Sequence, residues 1–238
     1  MRKKAVQVSL LTLIILIVVF IIILVLTNKI NFYLKKTNIR EYCRLSVEAE
    51  QAAKIGGKET IFNLDCPMQY IYIKNSELPK EDDKIKNYIS RKIADAMYDC
   101  WYKMGKGKYY DFTNKFIGAD DQACLLCSII YFEKKGLTIE NMKDWLDKNI
   151  PTGAQFSYSD FLSFNEEKRY YFEEPISTSS NYYVVFVAIV DSPNLKFPDE
   201  MKKYFNIPSM SIGGTPFSAV VLVKDKEIEK LGCEMLLN

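Results

Sequence analysis

The spacing of apolar residues along this chain changes character several times. From Ala5 to Thr27 they run together with no charge, as AVQVSLLTLIILIVVFIIILVLT. Bilayer hydrocarbon asks for about 20 consecutive apolar residues in a helix. The stretch therefore predicts a transmembrane signal-anchor helix over 5–27, behind a basic tail at 1–4. A secretory signal would have an apolar core of about 7–15 residues and a small-residue cleavage site, whereas this run ends in Thr27-Asn28-Lys29. Residues 28–38 read as a juxtamembrane segment. Phe32 and Tyr33 would sit at headgroup depth beside Lys35 and Lys36.

Past residue 38 the pattern becomes that of a folded domain, 39–238. Asn38 is placed to cap a helix from Ile39, stopped by Gly56-Gly57. A stronger helix follows Pro79. Its first turn holds Glu81, Asp82 and Asp83, which favour the helix dipole, and Ile85, Ile89, Ile93, Met97 and Trp101 recur at helical spacing up to Gly105. Thr138 would cap a third helix through Asn149, with Leu137 and Met142 as a hydrophobic staple. Residues 158–164 suggest one short helix. Strand patterns cover 60–64, 70–73, 124–132 (CLLCSIIYF), 182–190 (YYVVFVAIV) and 217–223, with an antiparallel return from Glu227 to Cys233. Residues 165–180 and 191–215 read as connections. The sum is an α+β fold: an N-terminal transmembrane helix, then a mixed, largely antiparallel sheet with two main helices.

Six cysteines, Cys43, Cys66, Cys100, Cys124, Cys127 and Cys233, all come after the apolar stretch. Even cysteine sets in exported domains usually form disulfide frameworks. The basic residues flanking 5–27 nearly balance, so these cysteines decide the orientation: a single-pass protein of the cell membrane, with its domain extracytoplasmic. Cys43 and Cys66 flank one compact segment and are expected to pair. In a strand, positions three apart face opposite sides. Cys124 and Cys127 should therefore part, one meeting Cys100 on the long helix and the other Cys233 near the C-terminus; which takes which stays open.

Charge narrows the functions further. The chain has 32 basic and 30 acidic residues; residues 1–40 hold seven of the basic and none of the acidic, leaving the remainder at net −5. Nucleic-acid binding needs a basic footprint, so no nucleic-acid partner is expected. The basic residues near the apolar stretch suit anionic headgroups, making the lipid bilayer the expected partner of residues 5–27. The chain has no histidine, which removes Ser-His-Asp and Cys-His catalysis and His-ligated metals. No cofactor, metal site or catalytic residue is expected.

Three further patterns invite chemistry. Cys124-Leu125-Leu126-Cys127 is a C-x-x-C, but it opens a strand, whereas a redox pair sits at a helix N-terminus that lowers a thiol pKa. A four-cysteine zinc site would need a second C-x-x-C. Met104-Gly105-Lys106-Gly107-Lys108 comes after a helix and lacks phosphate-loop spacing, so it reads as a helix end. The acid pairs Asp120-Asp121, Glu166-Glu167 and Glu173-Glu174 have no EF-hand spacing, leaving calcium at 165–174 as a minor alternative.

Two resemblances bear on this. The segments EYCRLSV, LDCP, DCWYKMGKGKYYDF and CLLCSIIYFE, spread over residues 41–133, resemble uncharacterised single-pass membrane-anchored archaeal surface proteins. That resemblance implies a recurring surface domain and no particular activity. The opening Arg2-Lys3-Lys4-Ala5 before the apolar run resembles a class III, pilin-like signal segment, with Ala5 where such segments carry glycine. The reading is a membrane-anchored cell-surface domain that binds a protein partner or serves structure. One alternative is a thiol-disulfide redox or maturation factor using Cys124 and Cys127. A second is a minor pilin-like subunit.

Overall fold

The computed structural model describes residues 15–24, 39–49, 66–107, 122–164, 167–189, 217–231 and 235–236. The chain divides into two units, 1–41 and 42–238.

In the first unit residues 15–24 are helical. All ten are apolar and 47% to 62% exposed. Among the described residues no helix is long and apolar enough to cross a membrane. This corrects the expectation of a transmembrane helix over 5–27. The ten described residues, at 1.5 Å each, rise about 15 Å, half of a hydrocarbon core of about 30 Å. Residues 5–14 and 25–27 of that stretch, and the juxtamembrane segment, lie outside the described residues.

The second unit is α+β around one mixed sheet. Its strands are β1 (Gln69–Ile73), β2 (Gln122–Phe132), β6 (Tyr170–Phe172), β8 (Tyr182–Ile189), β9 (Phe217–Lys224) and β10 (Met235–Leu236). The order is β1-β2-β8-β9-β6, with β10 on β2 beyond the end of β1. The two long central pairings, β2 with β8 and β8 with β9, are antiparallel. The shorter pairings of β1 and β10 with β2, and of β6 with β9, are parallel.

Helix α1 (Asp82–Lys103) packs on one face of this sheet, as its spacing predicts. Its Ile85, Ile89, Ile93, Met97 and Trp101 join Ile73, Leu125, Ile130, Val184, Phe186 and Val220 in the larger core. Trp101 and Phe186 lie 6.1 Å apart between ring centroids. Burying one such side chain contributes about 1.5–3 kcal/mol, so this interface holds the unit together. The opposite face carries a smaller core of Cys124, Leu126, Ile129, Val185, Val187, Val221, Val223 and Leu231.

Strand β2 changes phase on the way. Leu126 faces Val185 and Ser128 faces Val184, so Cys127 has no cross-strand partner of its own. This is a β-bulge, one extra residue that re-aims the rest of the strand. Leu125 and Cys127 face α1, and after the bulge so do Ile130 and Phe132.

Several local expectations change. Thr138–Ile139 is not a helix start but a short strand, β3, paired with β7 (Ile176–Ser177). The Leu137 N–H donates to Thr178 Oγ1 at 3.0 Å. With those residues taken by pairing, helix α2 (Met142–Lys148) begins after Asn141. Helix α3 stops at Phe161 (Tyr158–Phe161), opened by a Ser157–Asp160 capping box. Ser163–Phe164 (β4) pairs with Glu167–Lys168 (β5) instead of prolonging the helix. The 165–180 connection holds β5, β6 and β7. After β9 the chain does not return antiparallel: Asp225–Leu231 is 3-10 helix, its Leu231 filling the smaller core, and β10 then runs parallel to β2. The predicted strand at 60–64 and the connection at 191–215 lie outside the described residues.

Candidate functional site

The corner where β1 meets β2, on the face away from α1, is built from tyrosines. Strand alternation sends Ile71 and Ile73 toward the larger core and turns Tyr70 and Tyr72 the other way. The bulge in β2 brings Tyr131 to that same face. Tyr72 and Tyr131 are register partners, with centroids 4.9 Å apart and planes 11° off parallel. Tyr70 lies 6.4 Å from Tyr131 at 16°. Met68 and Tyr183 pack along the smaller core beside them. The phenol of Tyr131 is pushed above the ordinary tyrosine range, first by burial and then by the neighbouring phenols of Tyr72, Tyr183 and Tyr70. Tyr70 and Tyr72 nevertheless stay 56% and 58% exposed.

A cleft of about 340 Å³ opens at the end of this corner, lined by Tyr72, Ile73, Lys74, Tyr131, Phe132 and Glu133. Glu133 fixes its floor. The Glu133 N–H donates to the Ile73 carbonyl at 3.0 Å, and its Oε2 accepts from the Asn75 N–H at 2.7 Å. The rings therefore stand on a hydrogen-bonded platform, which keeps the ordering cost of a contact low.

The backbone of β1 adds a second feature. The Ile73 carbonyl bonds toward β2, so in the alternation of a parallel ladder Gln69, Ile71 and Ile73 turn their backbone groups inward. The N–H and C=O groups of Tyr70 and Tyr72 point outward. Among the described residues β1 is the end of the sheet. The exposed rings and the outward backbone groups belong to the same two residues. The tyrosine count is visible in the sequence, but the grouping was missed because the bulge and the parallel β1–β2 pairing leave no local signal.

The cysteines serve the scaffold. Cys43 is bonded to Cys66, with Cα atoms 4.5 Å apart, and Cys100 to Cys127, at 5.5 Å. Cys124 and Cys127 are both buried and face opposite sides of the sheet. Cys124 is oxidised too; Cys233 lies outside the described residues. The C-x-x-C is thus not bridged to itself.

The remaining motifs form no site among the described residues. Gly105 takes the left-handed conformation (φ 70°) that ends α1, and the Lys106 ammonium sits 4.7 Å over the Phe161 ring. The glycine-lysine run is a helix end, as expected. Glu173 pairs with Lys224 at 3.4 Å, and Glu174 Oε1 accepts the Lys143 N–H at 2.9 Å. No group of three or more potential metal ligands occurs among the described residues. Asp120, Asp121 and Glu166 lie outside them.

No protein-family model, no curated protein and no solved structure matches this chain.

Proposed function

We propose that this chain is an extracytoplasmic, disulfide-stapled binding domain, with the Tyr70–Tyr72–Tyr131 corner as its contact surface. One observation carries the reading. Two tyrosines stand more than half exposed on a rigid sheet edge and also present their backbone groups outward. Tyrosine is enriched in protein interfaces because it offers a large, stiff apolar ring with a polar tip. The oxidised cysteines support an oxidising compartment. The half-exposed apolar residues 15–24 support contact with a lipid surface. A protein partner is proposed at the tyrosine corner.

Tyrosine labelling in place tests this. Iodination of the dilute purified chain should modify Tyr70 and Tyr72 readily. In intact envelopes, treated with an impermeant oxidising label, they should be protected relative to other exposed tyrosines. Equal labelling of Tyr70 and Tyr72 in both settings would remove the contact surface. Failure of the impermeant label to reach any tyrosine of the domain in intact cells would remove the extracytoplasmic placement.

A further inference from the structure

The contact surface proposed above fits one partner in particular. We infer that the outer edge of β1 pairs with the same edge of a second copy of this chain, antiparallel about a two-fold axis at Ile71. The inference rests on the reading of the tyrosine corner as a contact surface and names its occupant.

Unpaired N–H and C=O groups on an edge strand are a template for another strand, and proteins blunt such edges with charge, proline or extreme shortness. Among the described residues the two ends of this sheet differ in that respect. β6 is three residues long and flanked by Arg169 and Glu173. β1 is five residues long and reads Gln-Tyr-Ile-Tyr-Ile, with no charge and no proline. Water can meet its outward groups singly, but an extended backbone laid alongside satisfies them as a row.

The order of residues in β1 then selects a copy of itself. The centre, Tyr70-Ile71-Tyr72, reads the same in both directions. An antiparallel two-fold pairing sets Tyr70 opposite Tyr72 of the second copy, and Tyr72 opposite its Tyr70. The outward groups belong to these residues, so each such pair becomes a hydrogen-bonded pair exchanging two bonds. Ile71 meets its own counterpart on the axis, at the non-hydrogen-bonded position. On the tyrosine face, ring meets ring across the junction and the row continues toward Tyr131 on each side. Aromatic cross-strand pairs are among the favourable ones, and no charge within β1 opposes them. The interface is isologous and closes on itself, so it gives a dimer and not a fibre.

Charge swapping tests the register. The full chain is held in mild detergent, which masks the apolar residues 15–24, and observed by sedimentation across concentration. Wild type should self-associate. Tyr70→Lys/Tyr72→Lys puts lysine opposite lysine, and Tyr70→Glu/Tyr72→Glu puts acid opposite acid; each should weaken self-association at least tenfold. Mixing the two variants should restore a one-to-one pair. The ladder to β2 uses Gln69, Ile71 and Ile73, so both variants should keep the wild-type circular dichroism. Ile71→Cys gives a geometric readout. Non-hydrogen-bonded partners lie about 4.5 Å apart at Cα, inside disulfide range, so this variant should form a dimer in air, disulfide-linked between the two copies of position 71. A wild type monomeric at every concentration together with an Ile71→Cys variant that forms no such link, or self-association unchanged in both charged variants, overturns the inference. If the monomer's Tyr70 and Tyr72 are still protected in envelopes, the contact surface stands with another partner; if they are not, both readings fall.

Discussion

Cys127 on β2 and Cys100 on α1 are bonded across 5.5 Å between Cα atoms, so the bulged residue of β2 is tied to the last turns of the long helix. The bond closes a separation of 27 residues. In the chain-entropy account such a loop stabilises by about 3.5 kcal/mol. Cys100→Ala/Cys127→Ala should lower the urea midpoint accordingly while near-ultraviolet circular dichroism keeps its shape. A loss well under about 1 kcal/mol would mean that packing of Trp101 and Phe186 alone fixes the helix on the sheet.

Cys124 is oxidised on the opposite face, and β10 places Met235 in register with it. Cys233 lies two residues earlier in the sequence, so the expected third bridge is Cys124–Cys233. Non-reducing peptide mapping with chymotrypsin, which cuts at Leu125 and Leu126, separates Cys124 from Cys127. A peptide joining Cys124 to Cys233 is expected; one joining Cys124 to any other cysteine refutes the assignment.

Lys103 is a cation inside the protein. Its side chain is 4% exposed and its ammonium lies 2.7 Å from Asp99 Oδ2. Gln69 on β1 donates to the same carboxylate at 3.3 Å. Breaking a buried pair from one side strands the other charge, at a cost of about 3–5 kcal/mol. Asp99→Ala should therefore destabilise strongly, while Lys103→Met/Asp99→Ala recovers most of the loss. Equal melting of the single and double variants would show that Lys103 finds another partner or water.

Tyr158 is fully buried and donates its hydroxyl hydrogen bond to Asp95. Burial first, and then that bond and charge, hold its pKa well above the ordinary tyrosine range. The unfolded phenol loses its proton near pH 10, and the folded one does not. The stabilisation is therefore complete below about pH 10 and is lost as pH rises further. Tyr158→Phe should cost about 1 kcal/mol at neutral pH and flatten the fall in stability above pH 10. Tyr131 and Tyr182, also shifted upward by burial, keep some slope in the variant. An unchanged alkaline slope would rule Tyr158 out as its source.

Long, regular signals in the sequence carried through to the structure, and short ones did not. The Ile85–Trp101 spacing and the runs at 124–132 and 182–190 are long enough for burial alone to fix their type. Thr138–Ile139 and Tyr170–Phe172 are strands only because Ile176–Ser177 and Val220–Leu222 lie beside them, and two or three residues carry no period. The opposite facing of Cys124 and Cys127 agrees with strand alternation, because the change of phase takes effect only beyond Cys127. The tyrosine corner had no such route. Tyr70 and Tyr131 are far apart in sequence, and their meeting depends on a parallel pairing that no turn announces.

The bulge at Cys127 acts on β2 as an inserted letter acts on a reading frame. Had the strand kept strict alternation from Leu125 and Cys127, the positions facing α1 would have continued through Ile129 and Tyr131, leaving Ile130 and Phe132 on the far face. One unmatched residue swaps the two sets and sends the Tyr131 phenol to the far face, beside Tyr70 and Tyr72, in place of an isoleucine. Deleting Cys127 would restore plain alternation and leave Ser128 to Phe132 on their present faces, whereas forcing the full-length strand into an unbulged ladder would turn all of them over.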